Sequence, residues 1–143
     1  MSISLLVLSL SCMAQALDVS DSCATKYSIC ITFRGIPITG LCIVRGNGDV
    51  VIGSVINEFG IKAFDFVFSK DKGKTKLQNV IKMMNNWYVK KVVSADLSTL
   101  LRSNNSEKQM KRRTILKDNG ILMLNNNKYD ISYKFQLIND TEQ

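Results

Sequence analysis

Residues 50–70 read VVIGSVINEFGIKAFDFVFSK and contain two apolar runs separated by four residues that favour a turn. The two runs predict a pair of antiparallel strands, and the Asn-Glu-Phe-Gly between them predicts a tight connection. Phe64, Phe66 and Phe68 recur at every second position, which places them on one face of the second strand. Ala63 falls on the opposite face by the same alternation. We expect the phenylalanine face to belong to the hydrophobic core.

Further strands are predicted on both sides of this hairpin. Their spans are residues 27–33, 39–45, 76–82, 114–116, 121–124 and 129–137. The turns between them include residues 46–49 (Gly-Asn-Gly-Asp) and residues 119–120 (Asn-Gly), which tolerate positive φ. The last strand alternates most regularly, with Tyr133 and Phe135 on its apolar face. These spans predict one antiparallel sheet.

A helix is predicted after the fifth strand. Apolar residues recur at three- and four-residue spacing from Tyr88 to Leu101, which indicates an amphipathic helix over about residues 86–102. Asn85 or Asn86 can cap its start. Its simplest role is to cover the phenylalanine face of the sheet, and a helix lying on a membrane surface is the alternative. The predicted fold class is therefore α+β, mainly antiparallel β, with the sheet covered by one amphipathic helix.

The chain is basic, with a formal net charge of +7, and none of its 19 basic residues lies in the first 25 positions. Such a surface attracts anionic partners, such as phospholipid head groups, lipopolysaccharide or nucleic acid, through a field that salt screens. The densest basic cluster is residues 111–113 (Lys-Arg-Arg), which has no interleaved aromatic residues. The sequence shows neither a nucleic-acid motif nor a base-stacking platform, so we expect no nucleic-acid partner.

Residues 1–16 have the pattern of a secretory signal. The apolar run at residues 3–10 is too short to span a bilayer, and residues 14–16 (Ala-Gln-Ala) suit the ordinary signal peptidase. Residues 9–12 (Ser-Leu-Ser-Cys) also resemble a bacterial lipobox, in which the thiol of Cys12 takes a diacylglycerol. We favour lipidation of Cys12 over ordinary cleavage, and Cys12 as a plain residue of the apolar run is the third alternative.

The rest of the chain is long enough for one domain. The total of 143 residues falls within the usual size of about 100–200 residues per domain. We expect a signal peptide at residues 1–16, a short flexible tether at 17–25 and a single β-rich domain at 26–143. A secretory signal predicts a location outside the cytoplasm.

Three cysteines, Cys23, Cys30 and Cys42, remain after the signal segment. An odd number in an oxidising compartment leaves one thiol over or pairs it between chains. If the turn between the first two strands is centred near Ile36, Cys30 and Cys42 lie opposite one another and can form a cross-strand disulfide. Two small buried thiols are the alternative.

The sequence lacks the usual sets of catalytic residues. There is no His, and the cysteines form no CxxC pair, so neither a zinc site of the usual kind nor a Cys-His or Ser-His-Asp arrangement is expected. Asp65 lies on a mainly apolar strand face, where it is either a ligand group or, as we favour, a residue at a solvent-facing edge. We therefore expect no enzyme activity, no cofactor and no metal site.

The central hairpin resembles a known family. Residues 57–60 (Asn-Glu-Phe-Gly) and the strand that follows are similar to the Asn-Pro-Leu-Gly turn and strand of the LolA/LolB family, which sorts outer-membrane lipoproteins. Glu58 stands where that family has Pro. The resemblance spans roughly Tyr27 to Leu101, and the same Asn-Glu-Phe-Gly signature occurs in uncharacterised lipoproteins of Gram-negative bacteria.

This resemblance implies a curved, incomplete β-barrel closed by helices around a hydrophobic cavity. By analogy, Phe59 would contact the membrane or the cargo, since the matching residue of the family protrudes; a side chain folded back onto the core is the alternative. The cavity would be lined by aromatic residues of the central and last strands, namely Phe64, Phe66, Phe68, Tyr133 and Phe135.

The resemblance also implies a function. It indicates a lipoprotein in the envelope of a Gram-negative bacterium, in the outer membrane or the periplasm, that binds or transfers an acyl chain, a lipoprotein or another hydrophobic ligand. The alternative is a structural or protein-interaction module with a solid core. A ligand carrier needs roughly 300 Å³ or more of enclosed apolar space, which separates the two functions.

Overall fold

The computed structural model describes residues 15–138. Cys12 and most of the predicted signal peptide therefore lie outside the described residues. The strands are β1 (Thr25–Phe33), β2 (Ile36–Asn47), β3 (Val50–Asn57), β4 (Lys62–Ser69), β5 (Lys74–Gln78), β6 (Arg113–Asp118), β7 (Ile121–Asn126) and β8 (Ile131–Leu137). The helices are a short 3-10 helix (Lys82–Met84), α1 (Trp87–Leu101) and the one-turn α2 (Glu107–Met110).

The eight strands form one antiparallel sheet in the order β5-β4-β3-β2-β1-β8-β7-β6. Its two edges, β5 and β6, do not pair with one another, so the sheet is open. Helix α1 nevertheless contacts both β5 and β7. Because these strands lie far apart in the sheet order, the sheet must curve around the helix to reach it from both sides. The described fold is thus mainly antiparallel β with one long helix, as predicted, and its open, curved sheet is consistent with an incomplete barrel.

The central hairpin forms as predicted. Phe64, Phe66 and Phe68 are at most 3% exposed and lie in the core between sheet and helix. The prediction for Ala63 was wrong, because this residue is also buried in the core. The cause is an irregularity in the pairing of β3 and β4: Val55 pairs with Phe64 and the next residue pairs with Lys62, which leaves Ala63 as an extra residue in the ladder.

The predicted disulfide between Cys30 and Cys42 was wrong. Cys30 pairs with Thr39, and Cys42 pairs with Tyr27. The turn between β1 and β2 consists of Arg34 and Gly35 alone, so the register differs from the predicted one by an odd number of residues and the two thiols lie on opposite faces. Cys42 is buried in the core, Cys30 is half-buried, and Cys23 is exposed; all three are free.

The predicted flexible tether at residues 17–25 was also wrong. The side chain of Leu17 is fully buried in the core, and its N–H donates to the carbonyl of Leu100 at the end of α1 (3.1 Å). The carbonyl of Asp18 accepts a hydrogen bond from the Tyr27 hydroxyl (2.8 Å). This segment packs against the domain because Leu17 is apolar and the end of α1 has carbonyls without helical partners.

Helix α1 is confirmed, together with its start. Asn86 is the N-cap, and its side-chain oxygen accepts from the backbone N–H groups of Tyr88 (2.9 Å) and Val89 (3.1 Å). The apolar stripe of the helix is buried in the same core as the phenylalanines of β4. The helix therefore covers the sheet, and the alternative of a membrane-surface helix does not hold.

The remaining elements differ from prediction mainly at their ends. The strand predicted at 76–82 spans Lys74–Gln78, and the 3-10 helix follows it. The last strand begins at Ile131, since Asp130 adopts a φ of 56° that ends the turn before it. The hairpin of β6 and β7 has the predicted Asn119-Gly120 tip, in which both residues have positive φ.

Candidate functional site

One end of the sheet gathers several turns, and we call it the rim end. Phe33, the last residue of β1, pairs with Ile36 at the start of β2 and with Ile131 at the start of β8. The turn between β3 and β4 lies at this end too, because Gly40 near the start of β2 pairs with Asn57. The 3-10 helix and the first turn of α1 complete it, as the backbone bond from Ile81 to the carbonyl of Ala63 at the start of β4 shows (2.7 Å).

Exposed apolar side chains concentrate at the rim end. Five of the nine large apolar residues that are exposed in the described chain lie there. These five residues, which we call the apolar rim, are Ile36 (63% exposed), Phe59 (78%), Ile61 (54%), Met83 (72%) and Trp87 (74%). Single exposed apolar residues are ordinary on protein surfaces, but a group of them at one end indicates a contact with something apolar.

An apolar pocket opens at the rim end, bordered by two of the rim residues. Its volume is about 240 Å³. All eight lining residues are apolar, and they come from β1, β2, the 3-10 helix and α1: Ile31, Phe33, Ile36, Ile38, Met83, Met84, Val89 and Val93. Two of them, Ile36 and Met83, also belong to the apolar rim, so the rim continues directly into the pocket. Flexible methionines adapt well to ligands of irregular shape.

The turn that carries Phe59 is built to expose it. The side-chain oxygen of Asn57 accepts from the N–H of Phe59 (3.0 Å) and from the N–H of Ile61 (2.9 Å). The backbone of Asn57 adds two further bonds, to the N–H of Gly60 (3.0 Å) and the carbonyl of Ile61 (2.8 Å). Gly60 has a φ of 80°, which favours glycine. The structure therefore holds Phe59 outwards, and the alternative in which it folds onto the core was wrong.

The five residues predicted to line a cavity are placed differently. Each is at most 3% exposed, each lies in the packed core, and none of them lines the apolar pocket: Phe64, Phe66, Phe68, Tyr133 and Phe135. Helix α1 fills the concave side of the sheet, where an empty cavity was expected. The pocket lies instead at the rim end, beyond the edge of that packing.

A buried polar cluster lies within the core, under α1. The carboxylate of Asp96 is fully buried and accepts from Arg113 Nε (2.7 Å), Asn126 Nδ2 (2.9 Å) and the Tyr133 hydroxyl (2.6 Å). Burial, followed by the charge and hydrogen bond of Asp96, raises the pKa of Tyr133 well above its ordinary value. The phenol therefore stays protonated and donates to the carboxylate. The Asp96 carboxylate has hydrogen-bond donors at both oxygens and no exposure to solvent, so we interpret its role as structural.

Asp65 lies on the outer face of the sheet and is partly buried. The favoured prediction of a solvent-facing edge position holds only for the face, because β4 pairs with strands on both sides. Its carboxylate accepts from Ser54, Lys62 and Asn79. Partial burial acts against ionisation, but these hydrogen bonds and the charge of Lys62 outweigh it and lower the pKa of Asp65. Within residues 15–138 there is no group of three His, Cys, Asp or Glu side chains that could hold a metal ion.

Sequence reasoning identified Phe59 but missed the rest of the rim. Ile36, Met83 and Trp87 come from three elements that meet only in the fold, so no periodic pattern relates them. A weak signal was present, since Met83 and Trp87 lie in residues 79–87, where apolar residues mix with Asn and Lys without the period of a strand or a helix. An apolar residue in such a stretch either packs inwards or is exposed for contact, and only the structure shows which.

Comparison with models of known protein families finds no match to this chain. A search of curated protein sequences likewise finds no significant relative. None of the helices between residues 15 and 138 combines the length and apolar character needed to cross a bilayer. The function must therefore be argued from the geometry.

Proposed function

We propose that this protein is a cell-envelope lipoprotein with a LolB-like half-barrel that binds an acyl chain or another hydrophobic ligand at its rim end. The observation that carries the proposal is the apolar rim, two of whose residues, Ile36 and Met83, also line a pocket that has only apolar lining residues. The ligand lies in the pocket between the 3-10 helix and the start of β2. In this proposal Phe59, which is exposed at the same end of the sheet, contacts the part of the ligand that lies outside the pocket.

The size of the pocket limits what it holds. The volume of about 240 Å³ is below the roughly 300 Å³ of enclosed apolar space that separates a ligand carrier from a solid-cored module, and taken alone it favours the module. The pocket admits part of one acyl chain, and the exposed rim residues cover the remainder. This arrangement suits a protein that receives and releases its ligand, because a ligand that is only partly enclosed leaves without unfolding the sheet.

The position of Leu17 relates the rim to the proposed anchor. Leu17 bonds to Leu100 at the end of α1, whereas the rim surrounds the start of that helix. The 15 residues of α1 span about 22 Å. Cys12 precedes Leu17 by five positions, a reach of at most about 18 Å. A lipid on Cys12 therefore attaches the domain by the end opposite to the rim, and Phe59 contacts cargo rather than the membrane that holds the anchor.

The alternative is a structural or protein-interaction module with a solid core. The packing of Phe64, Phe66, Phe68, Tyr133 and Phe135 beneath α1 favours it, since none of them borders empty space in the pocket. In this case the apolar rim contacts a partner protein. The two functions differ in whether a free acyl chain binds.

Trp87 provides a direct test because it is the single tryptophan and belongs to the rim. Oleate, titrated below its micelle concentration, should shift Trp87 emission to the blue as the indole leaves water. Phe59→Glu should weaken oleate binding about tenfold or more, since burying a phenylalanine contributes roughly 1.5–3 kcal/mol. Leu116→Glu is the matched control, because Leu116 is also exposed (58%) but lies on the edge strand β6.

Three outcomes decide whether an acyl chain binds at the rim end and whether Phe59 takes part. A blue shift that Phe59→Glu weakens and Leu116→Glu preserves supports the acyl-binding function. No shift at saturating oleate contradicts it and favours the interaction module, and equal binding by both variants removes Phe59 from the site. Mass spectrometry of protein from its own membrane fraction tests the anchor separately, through an added diacylglycerol-type mass on Cys12.

A further inference from the structure

A second cleft lies beside the rim end, and its lining is strongly basic. Its volume is about 390 Å³, and it is bordered by α1, α2 and the turn between β7 and β8. Six of its lining residues are cationic: Lys91, Lys108, Lys111, Arg112, Arg113 and Lys128. We call this feature the basic cleft. No acidic residue is among those that line it.

The positive charge of the basic cleft is largely uncompensated. Among the six cations, Arg113 alone has an acidic partner within residues 15–138, the buried Asp96. Within the part of the chain that the structure describes, the side chains of Lys91, Lys111 and Arg112 form no salt bridge. The same holds for Lys108 and Lys128, although Lys128 lies over the ring of Tyr129 (5.2 Å). Cations that converge without counter-charges make an anion the favourable occupant.

The backbone that presents these cations is fixed by specific contacts. Arg112 has a φ of 61°, and its carbonyl accepts from the N–H of Asn127 in the turn between β7 and β8 (2.8 Å). Arg113 donates to Asp96 from Nε (2.7 Å) and to the carbonyl of Gln109 from Nη1 (2.8 Å). The backbone around the cleft and the Arg113 side chain are thereby held in place before any ligand arrives, which lowers the entropic cost of ordering them on binding.

A further cation, Arg102, lies near Arg113. Burial, and then the charge of Arg113, lower the pKa of Arg102 below its ordinary value. The guanidinium of Arg102 is satisfied by neutral acceptors, the carbonyl of Gly73 (2.9 Å) and the side-chain oxygen of Asn105 (3.3 Å). Arg102 has no carboxylate partner among these contacts, so its charge adds to the positive potential on this side of the molecule.

We propose that the basic cleft binds a phosphate-bearing group. Lysine and arginine side chains from α1, α2 and the following segment surround it, and such donors form strong charge-assisted hydrogen bonds with phosphate oxygens. A cleft of about 390 Å³ is larger than one phosphate requires and accommodates a diphosphate or a phosphodiester with its substituents. The group belongs either to a soluble phosphate ester or to a phospholipid head group. This inference rests on the cleft alone and stands independently of the acyl-binding proposal.

The test compares two probes on the wild-type protein. Isothermal titration with inorganic pyrophosphate measures binding of a soluble phosphate. Co-sedimentation with phosphatidylcholine vesicles, with and without phosphatidylglycerol, measures binding of a phospholipid head group. Both are carried out at two salt concentrations, because binding through uncompensated charge weakens as salt rises.

Two charge-reversal variants locate the binding. Lys91→Glu with Lys111→Glu changes two exposed residues of the cleft, and Lys74→Glu with Lys76→Glu makes the same change of net charge on the exposed edge strand β5. We expect the cleft variant to weaken binding of the effective probe about tenfold or more and the β5 variant to change it less than about twofold. The oleate response of Trp87 should be unchanged in the cleft variant.

Each outcome decides for or against the proposal. Pyrophosphate binding that only the cleft variant loses supports it with a soluble phosphate as the source. Sedimentation that requires phosphatidylglycerol and that only the cleft variant loses supports it with a lipid source. Binding of neither probe overturns the proposal, and so does an equal loss in both variants, which would reflect net charge rather than a site.

Discussion

Replacing Asp96 by Asn should destabilise the domain more than any other single exchange of a carboxylate for an amide. The Asp96 carboxylate is fully buried and accepts from Arg113, Asn126 and Tyr133 at 2.6–2.9 Å. Removing the charge leaves the partly buried guanidinium of Arg113 without its counter-ion. It also sets the amide of the new side chain against that of Asn126, where two donors face each other. Breaking a buried ion pair from one side costs about 3–5 kcal/mol.

Asp65 supplies the matched control. It also accepts from three side chains, but it lies on the outer face of the sheet, where water replaces lost partners. Asp65→Asn should cost less than about 1 kcal/mol. The measurement is the free energy of unfolding from urea titration at pH 7, followed by tryptophan fluorescence and circular dichroism so that the two-state assumption is checked.

A double-mutant cycle distinguishes the loss of the Asp96 hydrogen-bond network from general destabilisation of the fold. Tyr133→Phe removes one donor to Asp96 and should cost about 1–3 kcal/mol by leaving the carboxylate short of a partner. In the double mutant, the loss of unfolding free energy should be smaller than the sum of the two single losses by at least about 0.5 kcal/mol, because the two residues share one hydrogen bond. An Asp96→Asn cost below about 1 kcal/mol, or strict additivity in the cycle, would refute the view that this network holds α1 on the sheet.

Two further predictions concern the core. Gly53→Ala should destabilise the domain by about 1–3 kcal/mol, because a Cβ there would come within 2.2 Å of the buried Phe66 ring. Urea titration measures this change in the free energy of unfolding. A change near zero would mean that the Phe66 ring can move aside. Burial raises the pKa of the Cys42 thiol to about 12 from an ordinary value of 9.0. The stability that this protonated thiol contributes is complete below pH 9 and is lost as pH rises towards 12, by up to about 1.4 kcal/mol per pH unit. Cys42→Ala should flatten the pH dependence of the free energy of unfolding above pH 9, and an unchanged slope would contradict the assignment to this thiol.

The elements of this fold were predictable where one local pattern determines them. The alternation in residues 50–70 predicts the central hairpin, and the change of period after Asn86 predicts α1, because core-facing residues must recur at the spacing of the element that carries them. Neither pattern contains the irregularity that brings Ala63 into the core. A bulge depends on how two strands pair, and that information lies outside either strand.

Register was less predictable. Residues 34–37 all have a composition typical of turns, but only Arg34 and Gly35 form the connection, with φ of 51° and 85°. Pro37 lies within β2, where a missing N–H is tolerated because β3 begins to pair with β2 only at Gly40. A turn displaced in this way moves every partner along β1, and the thiols predicted to face one another end on opposite sides of the sheet.

The rim and the basic cleft were predictable only in part. The sequence pointed to Phe59 in the rim and to residues 111–113 in the cleft, but the other residues of each come from separate elements that only the fold brings together. Their positions are related, however. The ring of Trp87 in the rim contacts Tyr88 (6.1 Å between centroids), and Tyr88 contacts Tyr129 (5.2 Å), which lines the basic cleft. A chain of three aromatic rings thus separates an apolar surface from a cationic one.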